Sequence, residues 1–203
     1  MIALIDYGAG NLTSVRKALS ALNAEYRTPD SPADLDTVSG IIVPGVGHFA
    51  ATAALDSGWR DAIRARLGAG VPLFGICLGM QWLFAGSDEA PDVPGLGVID
   101  GRCARLSGPV KVPHVGWNSL ETTRASRLLA GVESGAQVYF THSYAAPVTR
   151  ECAAVTTHAT TFAAAVECGL VFGVQFHPEK SADAGLRIVR NFLDAVEANH
   201  RVS

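Results

Sequence analysis

The stretch Val71-Pro72-Leu73-Phe74-Gly75-Ile76-Cys77-Leu78-Gly79-Met80-Gln81 decides how this chain folds. Its first six residues form a short apolar run of the kind that is buried on both faces of a sheet. Leu78 to Phe84 then reads as a helix. At the junction stands Gly75-x-Cys77-x-Gly79, the cysteine form of the sharp strand-to-helix turn that exposes a nucleophile. The two glycines are needed because the chain folds back on itself there, and a Cβ at either position would clash. The turn would present Cys77 at the carboxyl end of the sheet. Its sulfur would sit at the N-terminus of the next helix, where free N–H groups and the helix dipole favour a thiolate. The backbone N–H of Leu78 would point at a developing oxyanion.

Outward from this turn, strands alternate with helices. Met1 to Ile5 and Gly40-Ile41-Ile42-Val43 are apolar runs, the second expected to break at Pro44-Gly45. Leu12, Val15, Leu19 and Leu22 recur at helical spacing, and Trp59 to Leu67 reads as another helix closed by Gly68 and Gly70. This alternation predicts an α/β fold with an open, mostly parallel sheet flanked by helices. From about Val98 the pattern changes to short β-like pieces around Ala104, 110–115, 138–141, 153–157 and 162–166. These predict a smaller antiparallel β extension. Leu170 to Phe176 is a last buried strand, and a final helix is expected over about 181–197 with Ser181 as its N-cap. There are no repeats and no linker long enough to separate two domains.

Composition narrows the function classes. Of 203 residues, 48% are hydrophobic and 17% charged, enough apolar surface for a substantial core. Sixteen Lys and Arg against nineteen Asp and Glu give a net charge of −3, which argues against nucleic-acid binding. No apolar run reaches the ~20 residues of a membrane span, and Met1-Ile2-Ala3-Leu4-Ile5-Asp6 lacks the basic start of a signal peptide. The four cysteines, Cys77, Cys103, Cys152 and Cys168, include no C-x-x-C, so neither a zinc site nor a disulfide framework is expected. A cytoplasmic protein without membrane attachment follows as the expectation.

A base for Cys77 stands at the end of the last strand, in Gln175-Phe176-His177-Pro178-Glu179. Open α/β folds place their sites at this edge. Pro178 holds His177 extended, because a residue before proline avoids the α region. Glu179 can bond the far imidazole nitrogen and fix its tautomer. Cys77, His177 and Glu179 together form a coherent acyl-transfer triad. His48, His114, His158 and His200 lack such flanks and read as surface or satisfied core residues. Gly8-Ala9-Gly10 lacks the third glycine of a dinucleotide fingerprint, so no organic cofactor is expected, and no metal.

The run Gly75-Ile76-Cys77-Leu78-Gly79-Met80-Gln81 with the late Phe176-His177-Pro178-Glu179 resembles the class I (triad) glutamine amidotransferases. The resemblance covers nearly the whole chain and implies one glutamine amidotransferase type 1 domain over 1–203, flavodoxin-like in fold. Further runs are similar to the glutaminase subunits of imidazole glycerol phosphate synthase. They are Asp6 to Leu12, Pro44 to Phe49, Val112 to Asn118, Tyr139 to Tyr144 and His177 to Ser181. The resemblance implies that Cys77 forms a γ-glutamyl thioester, that His177 is base and then acid, and that Glu179 is its partner. It implies that Gly45, Val46 and Gly47 line the substrate, that the Val46 N–H completes the oxyanion hole with Leu78, and that Gln81 contacts the glutamine. The backbone of His142, Ser143 and Tyr144 would hold the glutamine's α-amino and carboxylate end. Asn11, Trp117, Tyr139 and Lys180 would face a partner, the cyclase subunit, in a heterodimer of histidine biosynthesis. Glutaminase activity would be weak until that partner binds its ligand, and an unset oxyanion hole at Val46 would explain this.

Other readings stay open on the residues alone. The triad would serve equally in a glutaminase subunit of another synthase, such as a sugar-amidating enzyme. A free-standing cysteine hydrolase of γ-glutamyl compounds would be fully active by itself. A non-catalytic binding protein on the same fold would usually lack a triad member, and here all three are present.

Overall fold

The computed structural model describes residues 1–10 and 12–200 of the chain, so Asn11 lies outside the described residues. In chain order the strands are β1 (Ile2–Leu4), β2 (Tyr26–Arg27), β3 (Gly40–Gly45), β4 (Leu73–Cys77), β5 (Gly86–Ser87), β6 (Ala90–Pro94) and β7 (Arg102–Arg105). They continue as β8 (His114–Ser119), β9 (Glu121–Thr122), β10 (Gln137–His142), β11 (Tyr144–Ala145), β12 (Cys152–His158), β13 (Thr160–Cys168) and β14 (Val171–Val174). The α-helices are α1 (Leu12–Ala21), α2 (Ser57–Gly68), α3 (Leu78–Leu83) and α4 (Ala182–His200).

Eight strands form the main sheet in the order β2-β1-β3-β4-β14-β13-β12-β9. The run from β2 to β14 is parallel, and β13, β12 and β9 continue it antiparallel. This is the open α/β architecture with an antiparallel extension that the sequence pattern predicts. Two small sheets, β10-β8 and β11-β7-β5-β6, stand beside it.

Period-two alternation along the strands divides the core into two layers. Leu4, Ile42, Phe74, Ile76, Phe172 and Val174 pack with Val15 and Leu19 of α1 and Ile188, Phe192 and Val196 of α4. Ala3, Ile41, Val43, Leu73 and Val171 face the other way, onto Ile63 of α2 and Met80 and Leu83 of α3. Each large apolar side chain buried in this way contributes ~1.5–3 kcal/mol. Helices on both faces leave the strands' carboxyl edge as the place where ligand-binding loops meet. No helix among the described residues is long and apolar enough to cross a membrane.

Three boundaries differ from the sequence expectation. β3 runs on through Pro44-Gly45 instead of breaking there. The pairing with β1 ends at Ile42, so the N–H that Pro44 lacks leaves no β1 acceptor unpaired. The strand expected over 110–115 lies instead at His114–Ser119, where it pairs with β10. Ser181 does not cap α4 with its side chain. Its Oγ donates to the His177 carbonyl at 2.6 Å and accepts from the Tyr139 N–H at 3.0 Å, tying β10 to the loop that carries His177.

Candidate active site

Cys77 ends β4 and opens α3 with φ +54° and ψ −107°. A non-glycine residue held there stores about 1–3 kcal/mol, which the surrounding packing must sustain. The two flanking glycines make the turn feasible. A Cβ on Gly75 would lie 2.6 Å from the Gly79 carbonyl oxygen, and one on Gly79 would overlap the Val43 carbonyl of β3. The strained turn that the spacing predicts is therefore present, and α3 is pressed against β3 with no room for a methyl between them.

β14 is the neighbour of β4, with Val174 opposite Ile76. Its continuation brings His177 and Glu179 to the same edge. The His177 N–H donates to the Tyr139 carbonyl at 2.9 Å, which fixes this loop. His177 Nδ1 lies 2.8 Å from Glu179 Oε1, and both side chains are almost wholly buried. Nδ1–H donates to the carboxylate, which leaves Nε2, buried and without a hydrogen-bond partner, as the nitrogen available for proton transfer. Burial pulls the His177 pKa down, but the Cys77 sulfur and then the Glu179 carboxylate outweigh it and carry the pKa up to about 10. An imidazolium is the favoured form beside these two acidic groups.

A cavity of about 300 Å³ opens over Cys77, lined by Gly47, Leu78, Gln81, Glu89, Pro113, Thr141, His142, Ser143 and Tyr144. Six of the eight residues expected to line the substrate thus share one space with the nucleophile. Gly45 and Val46 lie elsewhere. They border a small recess with Val15, Pro44, Ile76, His177 and Glu179, behind the triad. The Val46 N–H donates to the Ala9 carbonyl at 2.6 Å. In this conformation an N–H committed to Ala9 is not offered to an oxyanion beside Cys77. The reason is the Gly8-Ala9-Gly10 loop, which places a carbonyl next to the end of β3.

On the neighbouring surface Trp117 is 54% exposed and Val115 58%. Trp117 packs edge-on against Tyr139 with ring centroids 6.2 Å apart, and Lys180 Nζ sits 5.8 Å above the Tyr139 ring. Trp117, Tyr139 and Lys180 therefore form one patch.

The glutamine amidotransferase class-I family model matches residues 3–196. This chain belongs to the class-I glutamine amidotransferases. Within the family it is 48% identical over 196 residues to imidazole glycerol phosphate synthase subunit HisH of Xylella fastidiosa, covering 95% of this chain and 96% of the relative. It is 44% identical over 199 residues to the HisH subunit of Moorella thermoacetica, covering 96% and 95%. A crystal structure of a glutamine amidotransferase superposes with a TM-score of 0.74 at 22% identity, covering 97% of this chain and 98% of that one, which shows a shared fold.

The amidotransferase site also contains two residues that sequence reading passed over. Glu89 brings a carboxylate to the cavity, and its Oε2 accepts the Phe49 N–H at 2.8 Å. No motif marks it, since it reaches the site from the β5-β6 hairpin. Gln175 is fully buried, and its Nε2 donates to Cys77 Sγ at 3.7 Å. Its signal was available, because a glutamine in the last apolar run, two residues before His177, needs a partner. Among the described residues, no group of three His, Cys, Asp or Glu side chains is arranged to hold a metal ion.

Proposed function

We propose that this chain hydrolyses glutamine and delivers the ammonia to a separate cyclase subunit that makes imidazole glycerol phosphate and aminoimidazole carboxamide ribotide in histidine biosynthesis. The observation that carries the reading is Cys77, on its strained turn beneath the cavity, set beside the buried His177–Glu179 pair. The HisH names of its relatives support the pathway. Cys77 is the nucleophile, His177 the proton carrier and Glu179 its orienting partner. The whole of 1–203 acts as one glutaminase domain, in the cytoplasm.

Glutamine enters with its side-chain amide over Cys77. The thiolate adds to the amide carbon, and the Leu78 N–H supports the oxyanion. His177 gives its proton to the departing nitrogen, the C–N bond breaks, and ammonia leaves a thioester. Water, losing a proton to His177, then adds to the thioester. The C–S bond breaks, glutamate leaves, and the thiolate and the protonated His177 are restored. At the other end of the substrate, the backbone of residues 142–144 holds the carboxylate. Glu89 suits the α-ammonium, being a partly buried anion anchored by the Phe49 N–H.

The Val46 N–H must leave Ala9 before it can serve as a second oxyanion donor. Docking of the cyclase on the Trp117–Tyr139–Lys180 patch would favour that change and keep glutamine hydrolysis low in its absence. The test is Cys77→Ala in the complex. Glutamine-dependent synthesis is expected to vanish while ammonia-dependent synthesis by the cyclase persists. Loss of both, or full glutaminase activity of the isolated wild-type chain, would overturn this division of labour.

A further inference from the structure

His114 was expected to be an unremarkable histidine, and His142 to act through its backbone. The structure places their side chains in a continuous hydrogen-bonded chain that reaches the nucleophile. Asn118 Nδ2 lies 3.2 Å from His114 Nε2. His114 Nδ1 lies 3.1 Å from His142 Nε2, and His142 Nδ1 lies 2.9 Å from the Tyr144 carbonyl oxygen. The same carbonyl accepts from Gln81 Nε2 at 2.8 Å. Gln81 Nε2 also donates to Gln175 Oε1 at 3.1 Å, and Gln175 donates to Cys77 Sγ.

The direction of every link is fixed from both ends. A carbonyl oxygen only accepts, so His142 carries its proton on Nδ1 and, as a neutral ring, accepts at Nε2. At the far end, Asn118 Oδ1 accepts the Ser119 N–H at 2.8 Å and Asn118 Nδ2 donates to the Thr157 carbonyl at 3.1 Å. The amide is thereby oriented with its NH₂ toward His114 Nε2, which must accept. His114 then carries its proton on Nδ1. The two assignments meet between His114 Nδ1–H and His142 Nε2 and agree there. A second proton on either ring would set two donors face to face. Both rings are buried, and His114 is stacked on Phe140 and His158 with centroids 4.8 and 4.1 Å away. Burial and the neighbouring His158 lower the His114 pKa, and burial likewise lowers that of His142, so both stay neutral.

We propose that His114 and His142 are positioning residues for the substrate site, a neutral pair in which both rings carry the Nδ1 proton and together orient the Tyr144 carbonyl and the Gln81 amide. This rests on the reading of the cavity as a glutamine site. The pair bridges β8, whose Trp117 lies on the exposed patch, and the end of β10, where the substrate-holding segment begins. Neither ring contacts Cys77 directly, so the pair acts on how glutamine sits rather than on the chemical step.

Two measurements test this. In the wild-type chain at neutral pH, ¹⁵N NMR of the ring nitrogens should show His114 and His142 both as Nδ1–H neutral rings. A neutral ring with its proton on Nε2, or an imidazolium, at either position overturns the proposal, and this readout does not depend on glutamine being hydrolysed. Kinetics in the complex then separate positioning from simple packing. His142→Asn keeps a donor where Nδ1–H stood but loses the acceptor for His114 Nδ1–H, and should raise the glutamine KM by about threefold, less than full removal of the ring's hydrogen bonds. His142→Leu removes the donor and should raise KM roughly tenfold with kcat changed much less. Equal KM values for the two variants, or a loss confined to kcat, would overturn it. A wild-type enzyme that does not hydrolyse glutamine would instead defeat the functional reading and leave the tautomer result standing.

Discussion

Gly79→Ala tests the idea that close approach of β3 and α3 creates the nucleophilic turn. The added methyl would overlap the Val43 carbonyl oxygen and lie 2.8 Å from the Val43 carbonyl carbon. Both obstacles are backbone of a central strand, so no rotamer change relieves them. Overpacking a tight core costs ~1–3 kcal/mol, and contact with backbone puts this case near ~3 kcal/mol. For a chain of this length that lowers Tm by about 6–12 °C. The geometric consequence is larger than the energetic one. α3 must shift away from β3 by about 1 Å, carrying Cys77 and the Leu78 N–H with it, and a displacement of that size costs roughly 10²-fold in rate. Urea and thermal unfolding, with glutamine hydrolysis in the complex, give both numbers. Gly68→Ala is the control. Gly68 ends α2, its Cβ would meet nothing within 4 Å, and the substitution should be neutral or stabilise by ~0.5–1 kcal/mol. If Gly79→Ala stays within 0.5 kcal/mol and about twofold of wild type, the close approach does not govern the turn and the reasoning fails.

Glu89→Gln removes the cavity carboxylate while leaving an oxygen for the Phe49 N–H, so the glutamine KM should rise about 10- to 100-fold with kcat little changed; an unaltered KM would exclude Glu89 as the α-ammonium partner. Trp117→Ala should weaken binding of the cyclase subunit by about 30-fold, read by titration calorimetry, with the isolated chain's Tm unchanged, and unchanged affinity would move the docking face elsewhere. His114 and His142 also set an acid sensitivity. Their folded pKa values, about 4 and about 3, lie below the ordinary 6.5. Between about pH 6.5 and 4 the unfolded chain takes up protons that the folded chain refuses, so stability falls as pH drops through that window. Tm measured from pH 7.5 to 4.5 should decline less steeply in the His114→Asn, His142→Asn double variant than in wild type, and parallel slopes would show that these histidines are not held neutral.

Much of this was legible in the order of residues. The apolar runs at 40–45 and 71–76 have no polar alternation, so they could only be strands covered on both faces, and the sheet follows from that. Glycine two before and two after Cys77 marks a turn that other residues cannot make, which locates the nucleophile. Pro178 after His177 extends the loop that carries the base. Those signals are local, because backbone sterics act between near neighbours. Contacts formed across long separations carried no such mark. Glu89 reaches the cavity from a hairpin whose residues show no pattern, and the commitment of the Val46 N–H to Ala9 depends on two loops meeting at the sheet edge. The neutral state of His114 and His142 depends on an amide at one end and a carbonyl at the other, fixed by different strands. Steric rules along the chain set the fold and the nucleophile. Hydrogen-bond direction and proton placement waited on tertiary structure, because a donor's role is defined only by the acceptor that folding brings to it.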